Sequence, residues 1–390
     1  MTAPSSFARI NLEQARKQAK ELVKAHVAGD RRSLDRIRWN HPRFRGQSDE
    51  QISSAKFLLA DAQLVIARLH HFESWPRLLD YVETMERANP IVGRFENAAD
   101  AIIAGDMKAL RAALEAHPDL IRQRSTRAHR STLLHYVSAN GVEDYRQITP
   151  ANILDITKLL LDRGAEVDAT SEAYGGGSTT LGLVSTSAHP RARGVQIALI
   201  DLLLERGAAI DGERAQYDLV QNALANGCPE AANALASRGA TIRTLYAAAG
   251  IGDLPRVRSM FPDASRKQRE AALVVAGQQG HIDVATFLLD NGVDVNANDG
   301  MTALHYASGN GHLQMMKLLV GRGAGLEQLN GFDGTVLGST LWFAHHVSDD
   351  EFTARDFPRI IEWLIAAGAR TDAYPELMGE IDGVYRRAKR

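Results

Sequence analysis

Residues 299–324, DGMTALHYASGNGHLQMMKLLVGRGA, hold the feature that most constrains this chain, a short two-helix unit that recurs along it. Thr302-Ala303-Leu304-His305 opens a first helix, and Gly311-His312 makes a turn. Met315, Met316, Leu318 and Leu319 then line one face of a second helix. Gly323 stops that helix, because glycine accepts the left-handed backbone of a C-terminal cap. The same ending returns in LLLDRGAEVDA (159–169), LLLERGAAIDG (202–212), LASRGATI (235–242), FLLDNGVDVNA (287–297) and WLIAAGARTDA (363–373). Fainter copies with a Gly-Asp turn lie at residues 25–44, 101–120 and 248–264. A unit this small cannot bury its apolar face alone, so the pattern predicts a stack in which neighbours share one core.

The order T-x-L-H-x-A, then G-H, then L-L-x-x-G-A resembles the ankyrin repeat, two antiparallel helices and a turn at a period of about thirty-three residues. The resemblance covers residues 90–373 and, more weakly, 11–45. It implies an all-α ankyrin-repeat solenoid of stacked helix-turn-helix units, and it is specific for fold rather than function. In the family the histidine of T-x-L-H hydrogen-bonds the backbone of the neighbouring turn, which implies that role for His135 and His305. Residues 51–87 interrupt the series with apolar helical segments, and Ser74-Trp75-Pro76 reads as a helix start. The expected organisation is an N-terminal helical cap with a divergent repeat over 1–90, about eight units with inserted loops over 91–374, and a frayed C-terminal tail over 375–390. The layout is similar to that of bacterial ankyrin-repeat proteins with an N-terminal helical cap.

A formal net charge of -2 over 390 residues gives no electrostatic case for nucleic acid or an anionic membrane. No apolar run approaches the roughly twenty residues of a membrane span. The first residues lack an apolar signal core, and the single Cys228 rules out an intrachain disulfide framework. The expected location is the cytoplasm. No dinucleotide fingerprint, nucleophile elbow or H-E-x-x-H occurs, so neither a cofactor nor a metal is expected.

The departures from the repeat are more informative than the repeat. Between first and second helix, three units carry extra residues: 142–152, 189–195 and 345–356. A fourth insertion, SEAYGGGSTT (171–180), lengthens the finger between two units. Two readings stand side by side. Loops tolerate insertion without consequence; alternatively they wall a cleft along the inner helices. By the family resemblance, the two positions before each turn glycine face that side. They include Asn140, Asn310, Trp342 and Phe343 and carry no charge. Amides, hydroxyls and an indole suit a protein partner or a neutral polar ligand such as a carbohydrate, not a phosphate-rich one.

The expected ligand contacts are Asn140, Tyr145, Arg146, Tyr174, Ser178, Thr179, His189, Asn310, Trp342, Phe343 and His345. Gly175-Gly176-Gly177-Ser178 lacks the lysine and context of a phosphate loop and reads as a finger tip that lets backbone approach a ligand. The runner-up function is a hydrolase acting on a glycan or similar neutral substrate, with Glu143 or Asp144 as acid/base and an acid from another loop as its pair. A solvated acidic loop with a local salt bridge is the plainer reading of those two residues.

Overall fold

The computed structural model describes residues 12–70, 72–86, 90–211, 218–298, 300–372 and 377–388. Asp299, Gly212 and Ala373 of the repeat ends, Pro375, and the last two residues of the basic tail lie outside the described residues. The fold is an all-α helical repeat, and the strands among the described residues are limited to a two-residue antiparallel pair, Thr170–Ser171 with Ser178–Thr179. The chain forms two compact units, Met1–Ile210 and Asp211–Arg390.

In the first unit, helices Leu12–Val27, Arg31–Asn40, Asp49–Ser54, Leu59–Leu69 and Trp75–Glu86 precede the repeats. Ala15, Ala19 and Leu22 recur at helical spacing and are buried with Leu34, Ile37 and Ile52. Asp30 caps the second helix by accepting from the Ser33 amide at 3.0 Å, and Ser48 with Gln51 forms a capping box on the third. Ala67, Phe72, Leu78 and Val82 make a second small cluster. The last helix of the group starts at Trp75, directly after Ser74.

The repeats of this unit begin with helices Pro90–Ala104 and Met107–Ala116, and Asp106 caps the latter at 2.9 Å from the Ala109 amide. Thr132-Leu133-Leu134-His135 opens a tight 3-10 helix, Leu133–Ser138, closed by Ala139 at φ +47. The second helices Ile153–Asp162 and Gln196–Glu205 follow the first two inserted loops.

The second unit contains the pairs Leu219–Ala225 with Pro229–Ser237, Leu245–Gly250 with Leu254–Met260, Arg266–Gln279 with Ile282–Asp290, and Ala303–Gly309 with Leu313–Gly321. Met315, Met316 and Leu319 are fully buried, each contributing about 1.5–3 kcal/mol of apolar burial. Gly323 ends its helix at φ +91, the left-handed cap read from the sequence. Val336–His346 and Phe357–Ala366 form the next pair, with a short helix Asp349–Arg355 between them. Residues 345–356 are therefore not an open loop. The first helix runs through His345 and His346, and Ser348 caps the inserted helix with Glu351 in a capping box. The frayed tail is corrected too, because Leu377–Ala388 is a helix. Leu377, Ile381 and Val384 lie at i, i+4 and i+7 and are buried, and Arg387 donates to the Val347 carbonyl at 2.9 Å.

Two histidines join consecutive repeats as the family resemblance implies. His135 Nδ1 accepts from the Thr132 amide at 3.1 Å, which leaves the proton on Nε2 to donate to the Ser178 carbonyl at 3.2 Å. His305 repeats this with Thr302 and the Gly334 carbonyl, also at 3.2 Å. Burial holds both imidazoles below their ordinary pKa, His135 at about 4. The two repeats that supply those carbonyls open with Thr179 and Thr335, whose hydroxyls accept from the Gly182 and Gly338 amides at 3.2 Å.

Candidate binding surfaces

The first inserted loop is folded inward. Glu143 is 0% exposed, and its Oε1 lies 2.5 Å from Arg127 Nε, 3.3 Å from His129 Nε2 and 3.4 Å from Arg146 Nη1. Arg127, 2% exposed, donates through Nη2 to Tyr145 Oη at 2.8 Å, Tyr81 Oη at 3.0 Å and Glu96 Oε2 at 3.3 Å. Arg146 donates to Glu96 Oε2 and, at 2.6 Å, to Asp100 Oδ1. Burial opposes the charge on Glu143, but Arg127 and Arg146 outweigh it and keep the carboxyl well below the usual carboxylate range. Burial pushes the Tyr81, Tyr136 and Tyr145 phenols up, so they stay neutral hydrogen-bonding groups.

This arrangement corrects three expectations. Glu143 is an enclosed ion-pair partner rather than a solvated acid, so no substrate reaches it as an acid/base. Arg146 is spent on Glu96 and Asp100, and Tyr145 is half-buried with its hydroxyl on Arg127, so neither is presented to a ligand. Asp144 is exposed on the outer side of the short 3-10 turn Asp144–Arg146.

The finger insertion brings two expected contacts together. Tyr174, 75% exposed and at φ +54, donates to Asn140 Oδ1 at 2.6 Å. Asn140 Nδ2 in turn donates to Thr186 Oγ1 at 3.0 Å and to the Leu183 carbonyl. Gly141 permits this closeness, since a Cβ there would stand 2.8 Å from Ala173 Cβ. Ser178 and Thr179 serve the finger itself. The Ser178 hydroxyl donates to the Ala173 carbonyl at 2.9 Å, and Thr179 caps helix Thr180–Ser185. His189 is exposed on the short helix Ala188–Ala192.

In the second unit, Trp342 is 57% exposed near the end of helix Val336–His346. Its ring stacks on His346 at 4.2 Å and 15°, and meets Phe343 edge-on at 5.4 Å. His346 Nδ1 lies 2.7 Å from the Trp342 carbonyl. Phe343 packs against Gly309, where a Cβ would come within 2.4 Å of its ring. Glycine at that position is what lets the aromatic of the next repeat lie close. Beside it, Asn310 Nδ2 donates to the Gln278 carbonyl at 3.1 Å, which also accepts from His312 Nε2 at 3.1 Å. His345 faces helix Leu377–Ala388, close to Gly383. Sequence reasoning missed His346 as part of the aromatic group. The signal was there, one helical turn after Trp342.

No group of three or more His, Cys, Asp or Glu able to hold a metal occurs among the described residues, and no described helix is long and apolar enough to cross a membrane.

Residues 244–330 match the family model for ankyrin repeats, in three copies. The chain is also 29% identical over 182 residues to the ankyrin repeat and KH domain-containing protein mask-1 of Caenorhabditis elegans. That match takes in 43% of this chain and 6% of the relative, so the chain spans only a small part of that relative's length.

Proposed function

We propose that this chain, which is an ankyrin-repeat protein, holds a protein partner against the inner helices of its second unit with Trp342 as the anchor. The observation that carries the reading is the exposed indole, fixed by His346 on its face and Phe343 at its edge. A ring oriented before the partner arrives loses little freedom on binding, which is why such aromatics dominate interface energetics. Ankyrin repeats generally act as protein-binding scaffolds, which favours this class of partner. A carbohydrate ring would suit the same indole face. A hydrolase acting through Glu143 would need that carboxylate open to substrate, and it is enclosed between two guanidinium groups.

The test compares wild-type chain with Trp342→Ala. A partner captured on the wild-type protein is identified and titrated against both by calorimetry. The variant is expected to bind about 30-fold more weakly or worse, with an unchanged melting temperature. Equal affinity for both proteins would overturn the reading. A glycan screen on the same pair decides the carbohydrate alternative, which requires binding that Trp342→Ala abolishes.

A further inference from the structure

The N-terminal helices of the first unit have apolar clusters of their own. The two clusters that bury Ala15 through Val82 contain no repeat residue. Among the described residues, no helix of that group packs closely along a repeat helix. A guanidinium crosses the seam. Arg127 comes from the stretch between two repeats, yet its carbon lies 4.6 Å from the Tyr81 ring centroid and 5.2 Å from that of Phe72. Its Nη2 bonds the Tyr81 hydroxyl, while its Nε meets Glu143 of the inserted loop. The His70 and Tyr145 rings, 6.3 Å apart, are the other aromatic pair on this boundary.

We infer that Arg127 is a latch that fastens the N-terminal helical module to the repeats, and that the module opens from them as a cooperative unit when this latch is broken. The physical basis is the contrast in what holds each side. The two clusters that bury Ala15 through Val82 are made of module residues, so the module loses its structure without disrupting the repeats. Arg127 meets the module by cation–π and hydrogen-bonded contact, and the loss of this single buried charge is not compensated by neighbouring packing. The first inserted loop has its role here. Glu143 neutralises Arg127 at Nε while Nη2 bonds Tyr81, so the loop holds the latch in place. This inference is independent of the partner-binding surface around Trp342.

Hydrogen exchange on the full chain tests it, comparing wild type with Arg127→Met and Tyr81→Phe. Arg127→Met is expected to speed exchange of amides in helices Leu59–Leu69 and Trp75–Glu86 by about 100-fold, with those in helix Gln196–Glu205 unchanged. Tyr81→Phe keeps the ring and removes one hydroxyl. It is expected to produce the same localised pattern at about 5-fold, and it keeps the test decisive if Arg127→Met does not fold. Uniform acceleration across residues 12–205 in Tyr81→Phe would show a single cooperative core and overturn the latch. So would unchanged exchange in the two N-terminal helices.

Discussion

The repeats at residues 244–330 and those at residues 126–205 fill the same joint in different ways. In the regular stretch, the space beside Gly252 and beside Gly280 takes an imidazole from the next repeat. A Cβ at Gly252 would stand 2.8 Å from His281 Nδ1, and one at Gly280 2.9 Å from His312 Nδ1. Each ring also donates to a carbonyl of the preceding repeat, His281 to Gly250 and His312 to Gln278, both at 3.1 Å. In the interrupted stretch the fillers belong to insertions. Asn152, the last residue of the first inserted loop, occupies the space beside Gly105 and donates to its carbonyl at 2.8 Å. Ala173, in the finger insertion, presses on Gly141. The insertions thus enter at a joint and close by restoring its contact. The stack tolerates them because that one contact is kept, while the spacing that marks the family is lost, and the family model matches only the regular stretch.

The sharpest way to separate the regions is to strike the buried charges, which among the described residues only the interrupted one has. Arg146→Met leaves Glu96, Glu143 and Asp100 short of a partner, at an expected cost of about 3–5 kcal/mol. Of the chain's four tryptophans, Trp39 and Trp75 lie in the first unit, Trp342 and Trp363 in the second. Urea denaturation of chains keeping one pair or the other reads each unit separately. The loss should fall on the Trp39 and Trp75 signal; an equal loss on Trp342 and Trp363 would contradict the assignment.

Acid should strike the Thr-x-x-His joint in both regions, because that joint is common to them. His135 has a folded pKa of about 4, below its ordinary 6.5, so below pH 6.5 the unfolded chain binds more protons. The stability of the neutral ring is complete above about pH 6.5 and is lost as the pH falls through about 4. The total is about 3 kcal/mol. His305 is displaced in the same direction by burial. His135→Gln should flatten the pH dependence of the first unit between pH 6.5 and 4, measured by urea midpoints; an unchanged slope would remove this histidine from the account.

The smallest contrast isolates the filled joint from backbone strain. Gly280 and Gly292 are both left-handed, at φ +77 and +79, yet nothing lies within 4 Å of a Cβ at Gly292. Gly292→Ala should cost about 1 kcal/mol, the strain alone. Gly280→Ala should cost a further ~1–3 kcal/mol, because His312 must move. Equal melting temperatures would mean that the imidazole is not packed into the joint.

Legibility followed the range of the contacts. Helix ends and the histidine joints were readable because their signals sit within a few residues or recur at the repeat period. Arg146 and Tyr145 were misread because their partners Glu96, Asp100 and Arg127 lie 18 to 50 residues away with no period to announce them. The inserted loop looked solvated from its own letters, Glu-Asp-Tyr-Arg-Gln, and only long-range pairing buries it. The terminal helix had its spacing in plain view at Leu377, Ile381 and Val384, but the basic end around Arg386 and Arg387 drew attention from it.

The histidine joint gives the stack a direction. His135 and His305 each reach forward to the carbonyl just before the threonine of the following repeat, Ser178 before Thr179 and Gly334 before Thr335. Those receiving repeats carry Gly182 and Gly338 where the donors carry histidine. They take the bond and have no imidazole to pass it on. Each receiving repeat is therefore a terminator of its ladder, written into the chain by one residue. Any graft meant to lengthen this protein has to change that letter as well as add helices.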